Sequence, residues 1–146
     1  MKKFLITGII ASSLFAMQWV AAETICDAKI ALADARLNLM MMVVSTEKAE
    51  HDYLKTEIDQ ASTDLEKVLE AMLKDERKYD DAQLTTFQET WAKFKNTRET
   101  EIVPAIQVGN NDKALEIAIG VQAERMEIMN NVVQALNGDN CRLDDF

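Results

Sequence analysis

Proline occurs once in this 146-residue chain and histidine once, and nowhere do apolar and polar residues alternate long enough to mark a β-strand. The missing period of two excludes a sheet-based fold and leaves helices as the repeating element. The sole histidine, His51, leaves no serine or cysteine with a histidine partner, so the familiar nucleophilic and acid-base routes are excluded. No Cys-x-x-Cys-His run is present, which excludes covalent haem attachment. Non-covalent haem would need His51 in a core facing a methionine, yet His51 falls in a poorly patterned turn region. Carboxylate pairs such as Asp75-Glu76, Asp80-Asp81 and Asp144-Asp145 belong to helix ends and tails of an acidic chain. The sequence thus reads as a non-enzyme with no cofactor.

Lys2 and Lys3 precede an uncharged, mostly apolar stretch from Phe4 to Val20, then small residues at Ala21 and Ala22. That order predicts an export signal, residues 1–22, cleaved after Ala22. The alternative is a retained anchor, since the stretch approaches the roughly 20 residues that span a bilayer. Thr7, Ser12, Ser13 and Gln18 dilute it and favour cleavage. No second spanning run follows, so residues 23–146 are expected to form a single periplasmic domain. Losing two lysines and no acid takes the formal charge from -9 to -11. Such a chain repels nucleic acid and anionic lipid.

Apolar residues recur at steps of three and four in four segments. The first stripe is Ile25, Ala28, Leu32, Ala35, Leu39 and Met42, on a helix from about Thr24 to Lys48. The second is Leu54, Ile58, Ala61, Leu65, Val68 and Met72. In the third, Leu84, Phe87, Trp91 and Phe94 lead to a polar position at Arg98, and the stripe resumes at Ile102, Ala105 and Val108. The fourth runs Leu115, Ile119, Gln122, Met126, Met129, Val133, Leu136. Asp80 with Gln83 resembles a capping box, and Gly109-Asn110-Asn111-Asp112 supplies a positive-φ residue and a cap. Asn137-Gly138 closes the fourth helix, and the first break lies between Ser45 and Asp52.

Four helices of about 25 residues joined by short turns predict an antiparallel up-down-up-down four-helix bundle. In that topology both chain ends meet at one end, where Cys26 and Cys141 can form a disulfide. Both cysteines lie at the ends of an exported chain, which supports pairing over free thiols. The triplet Met40-Met41-Met42 suggests copper(I), but residues about 100° apart on a helix cannot converge on one ion. The apolar run Leu39 to Val44 is wider than one seam requires and predicts a homodimer face.

Leu84-Thr-Thr-Phe-Gln-Glu-Thr-Trp-Ala-Lys-Phe94, then Gly109-Asn-Asn-Asp-Lys-Ala-Leu115, then the last helix ending at Leu136, resemble the four-helix-bundle sensor domain of methyl-accepting chemotaxis receptors. The resemblance implies a ligand-binding sensory module that acts in pairs. Because this chain stops after Arg142-Leu-Asp-Asp-Phe146 with no second span, a membrane-bound signalling partner is expected to relay its state. Two alternatives remain. One is a periplasmic haem or metal carrier of the four-helix cytochrome type. The other is a small stress chaperone, because Leu84-Thr85-Thr86-Phe87-Gln88 is similar to the Leu-Thr-x-x-Gln motif of that family.

The candidate ligand site is where the core turns polar. Arg98 lies 11 residues before Gly109, and Gln122 lies 11 after Asn111, so folding about the turn sets them opposite. The same count about the first turn reaches Asn38 and Ser62, with Arg36 on the flank. A layer of Arg98, Gln122, Asn38 and Ser62 suits a small anion, because arginine offers a planar fork of donors. The alternative is that Arg98 pairs with Glu101 or another neighbouring acid. Pro104 is expected to kink the third helix beside this layer.

Overall fold

The computed structural model describes residues 24–75, 81–136 and 141. The proposed signal segment, the Asp80 cap, Asn137-Gly138 and the polar tail lie outside them. The described elements are α1 (Ile25–Val44), α2 (Lys48–Lys74), α3 (Asp81–Thr97), a π-helical turn (Arg98–Ile102), α4 (Val103–Gln107), α5 (Asn111–Ile119) and α6 (Val121–Ala135). They make four rods, the third built of α3, the π turn and α4, the fourth of α5 and α6. The result is an all-α four-helix bundle with a disulfide near the chain ends. Cys26 and Cys141 are bonded, with Cα atoms 5.4 Å apart and 115 positions between them in sequence.

Several helix ends are fixed by side chains. Asp27 closes the start of α1, its Oδ2 accepting from the Thr24 backbone N–H at 2.7 Å and from the Thr24 hydroxyl at 2.8 Å. The connection 45–47 is held by Asn111, whose Nδ2 donates to the carbonyls of Val43 at 2.7 Å and Ser45 at 2.9 Å. These bonds satisfy carbonyls that the end of α1 leaves open. His51 joins the same knot, its Nε2 lying 2.8 Å from the Ser45 carbonyl. Gly109 takes φ +76, and the Asn110 side chain accepts from the Lys113 amide. That is the cap chemistry the Gly-Asn-Asn-Asp run predicts.

The stripes of the first two rods are buried throughout, as are Leu84, Phe87, Trp91 and Phe94 of the third. Two stretches depart from the sequence expectation. Val108 is 80% exposed, because the rod has already ended at Gln107 and the chain is turning into Gly109. Ile119 is 59% exposed, and Ala114 and Ala118 occupy the core in its place. The fourth rod is interrupted at Gly120, where a Cβ would lie 2.9 Å from the Glu116 carbonyl oxygen. Its inward stripe runs Ala114, Ala118, Gln122, with the expected Leu115 half-buried against the core beside it and Ile119 turned outward.

The third rod also breaks, though not as a simple proline kink. Pro104 has no N–H to donate. Immediately before it the backbone widens into the π turn, with the Val103 N–H reaching the Arg98 carbonyl. An extra residue per turn takes up the missing donor, the usual way a π-bulge is accommodated in a helix.

Candidate functional site

The π turn begins at Arg98, which is 1% exposed and the largest fully buried side chain among the described residues. Its Nε donates to Glu99 Oε1 at 2.7 Å and its Nη1 to Ser62 Oγ at 2.8 Å. The guanidinium carbon sits 5.8 Å from the centre of the Trp91 ring, within reach of a cation–π attraction. Ser62 in turn donates to the Ile58 carbonyl at 2.6 Å. Glu99 extends the chain of charge to Lys55 at 3.4 Å, and Lys55 holds Asp59 at 2.6 Å. The acid beside Arg98 is Glu99 and not Glu101.

Trp91 and Lys95, one turn apart on α3, both donate to Glu66 of α2. Desolvation raises the Glu66 carboxyl, but the bonds from Lys95 and Trp91, with the charges of Lys95 and Arg98, outweigh it and hold the group below its usual value. Partners on α2 rise from Lys55 through Ser62 to Glu66 as those on the third rod fall from Glu99 through Arg98 to Lys95.

Gln122 is fully buried, opposite the third rod as the turn count places it. Its partner is one turn earlier than Arg98: Nε2 donates to the Phe94 carbonyl at 2.8 Å. Its Oε1 accepts from Arg125 Nη1 at 2.9 Å, and the same nitrogen reaches Thr97 Oγ1 at 2.7 Å and the Lys93 carbonyl at 3.1 Å. Arg125 went unnoticed in the sequence because it lies off the seam, although its spacing of three from Gln122 puts the two on one helix face. The polar residues thus form two clusters. Arg98 and Ser62 tie the second rod to the third, and Gln122 and Arg125 tie the third to the fourth.

No hydrogen bond joins Asn38, which is half-buried, to Arg98, Ser62 or Gln122. Arg36 lies apart from both clusters, lining a cleft of about 390 Å³ with Met40 of α1 and Met126 and Asn130 of α6. Its Nη1 is sealed from solvent and has no hydrogen-bond partner. A cleft of about 490 Å³ at the C-terminal end of α1 is lined by Met42, Lys48, His51 and Lys55. Met42 is buried, Met40 half-buried and Met41 exposed, so the three sulfurs face different ways. Among the described residues no group of three or more His, Cys, Asp or Glu side chains is placed to hold a metal ion. None of the described helices is long and apolar enough to cross a membrane.

A scan against models of protein families matches residues 11–141 to a four helix bundle sensory module for signal transduction. The match spans most of the chain, which therefore belongs to this family of sensory modules. It is consistent with a chemoreceptor-like input domain. No curated protein and no solved structure matches it.

Proposed function

We propose that this chain is a periplasmic input module that binds a small anionic ligand between its helices, works as a homodimer, and is read by a membrane-bound signalling protein. The observation that carries the reading is membership of a sensory four-helix-bundle family. The Cys26–Cys141 bond supports an oxidising compartment, in keeping with an export signal at residues 1–22 cleaved after Ala22. The opposed order of partners on α2 and the third rod supports the up-down-up-down path.

Arg98, Gln122, Asn38, Ser62 and Arg36 are the proposed ligand-binding and coupling residues. Arg98–Ser62 and Gln122–Phe94 are inter-rod bonds in a bundle whose third and fourth rods are already broken, at the π turn and at Gly120. A ligand with different affinity for two packings of these rods shifts the balance between them. The homodimer is supported by α1, apolar on nearly every side from Leu37 to Val44. Leu37, Met41 and Val44, at helical spacing, are all exposed on its outer face. A helix hydrophobic all round is normally covered, and a second copy of the chain would cover this one.

Sedimentation tests the dimer: wild type should associate, and Met41→Lys should stay folded but dissociate. A strict monomer at high concentration would remove the dimer and the paired mechanism with it.

A further inference from the structure

Arg98 and Gln122 are both buried, so a small molecule reaches neither in this packing. Access requires one element to move, and α5 is the element held by least. It is nine residues long and lies between two glycines that interrupt the helical backbone. A helix of that length has little stability of its own and depends on what it packs against. Gly109 takes φ +76, a conformation that residues with a Cβ rarely adopt. Gly120 stands at φ -90 and ψ -111, where α5 stops and before α6 begins.

Between these breaks the anchoring is slight. Ala114 and Ala118 are the fully buried side chains of α5, one methyl group each, with Leu115 and Ile117 half-buried beside them. By contrast α2 buries Leu54, Ile58, Leu65, Val68, Leu69 and Met72. Resistance to local opening follows the apolar surface that opening exposes, so α5 resists least. Among the described residues no α5 side chain forms an ion pair, and the one that hydrogen-bonds another rod is Asn111. It holds the carbonyls of Val43 and Ser45. The segment thus has a break at each end and a single polar pin.

Its position gives an opening a consequence. α5 packs against α1, α4, α6 and the π turn that begins at Arg98. Gln122 follows the Gly120 break by two residues. We propose that α5 is a hinged lid. It swings on Gly109 and Gly120 when the Asn111 bonds break, leaves α1, α2 and α3 in place, and admits a small molecule to the interior between the third and fourth rods. This rests on the sensory reading and deepens it by naming the element that lets the ligand in.

Native-state hydrogen exchange on the disulfide-intact protein, followed by NMR, tests the lid without a ligand. Amides from Leu115 to Ile119 should exchange roughly 100-fold or more faster than those from Ile58 to Leu69. Asn111→Ala, which leaves the Asn110 cap intact, should speed α5 exchange by roughly tenfold. Ile58→Val should speed exchange in α2 by roughly fivefold and leave α5 unchanged, because the α2 core stays packed while the lid is open. Ala118→Cys places a thiol on the inner face of the lid, and iodoacetamide should label it faster when Asn111→Ala is added.

Equal protection of α5 and α2, or an equal response of both to Ile58→Val, would mean that α5 opens only with the whole fold and would overturn the inference. So would labelling of the Ala118→Cys thiol that is indifferent to Asn111→Ala. None of these results bears on whether the purified protein carries a ligand, so the sensory reading would survive the loss of the lid.

Discussion

Replacing Cys26 and Cys141 together by serine isolates the contribution of the chain closure. The bond joins positions 115 apart, and the loop-entropy relation gives about 4.8 kcal/mol for a loop of that length. At about 2.1 cal/mol/K of unfolding entropy per residue, that amounts to a fall of about 20 °C in melting temperature, less any strain the bond relieves. Helical circular dichroism at 20 °C should persist, because the buried stripes of all four rods are independent of the sulfur atoms. Thermal melts of wild type and Cys26→Ser/Cys141→Ser, with non-reducing peptide mapping of periplasmic protein, measure both quantities. A drop of only a few degrees, or two free thiols in the mapped protein, would refute the closure argument. Loss of helicity in the variant would refute the claim that the core stands without the bond.

Arg98→Ala should cost about 3–5 kcal/mol in urea denaturation, since it deletes a charge-assisted bond, a bond to Ser62 and the buried aliphatic stem. Arg98→Met should cost within about 1 kcal/mol, because it refills the space and leaves Glu99 half-exposed beside Lys55. Equal losses would contradict this. Gln122→Leu strips the Phe94 carbonyl and Arg125 of a buried partner and should lower stability by about 2 kcal/mol with an unchanged denaturant slope. Glu66 is held below its ordinary value of 4.5, so its contribution is fully present above pH 4.5 and is lost as pH falls through its lower folded value. Melts of Glu66→Gln between pH 7 and pH 3 should therefore show a smaller acid-side loss than wild type, and an identical profile would contradict the Lys95–Trp91 anchoring.

The first two rods were legible because a regular helix with one buried face writes its period directly into the sequence, as Leu54, Ile58, Leu65 and Val68 do. The cysteine positions likewise pointed to the closure that joins the chain ends. In the fourth rod Ile119 turns outward while Ala118 takes the core position, a departure not legible in sequence because a spacing rule that ranks residues by size passes over small inward side chains. At the third rod the polar position of Arg98 was visible, but its partner was not. Neighbouring residues point about 100° apart on an α-helix, so helical spacing does not pair Arg98 with Glu99, and the contact depends on the local backbone at the π turn. Asn111 was legible as part of a cap, whereas its grip on Val43 and Ser45 was not, because nothing local links residues 66 and 68 positions apart. In sequence Arg36 stands only on the flank of the polar layer. Its isolation depends on the packing of α1 against α6, which no single-helix pattern contains.

Native mass spectrometry of the protein released from the periplasm tests the central claim, that this bundle is a ligand-binding sensory module. The account predicts a colourless, metal-free chain carrying a small organic anion. A Soret band, or metal in stoichiometric amount, would contradict it and make the bundle a carrier.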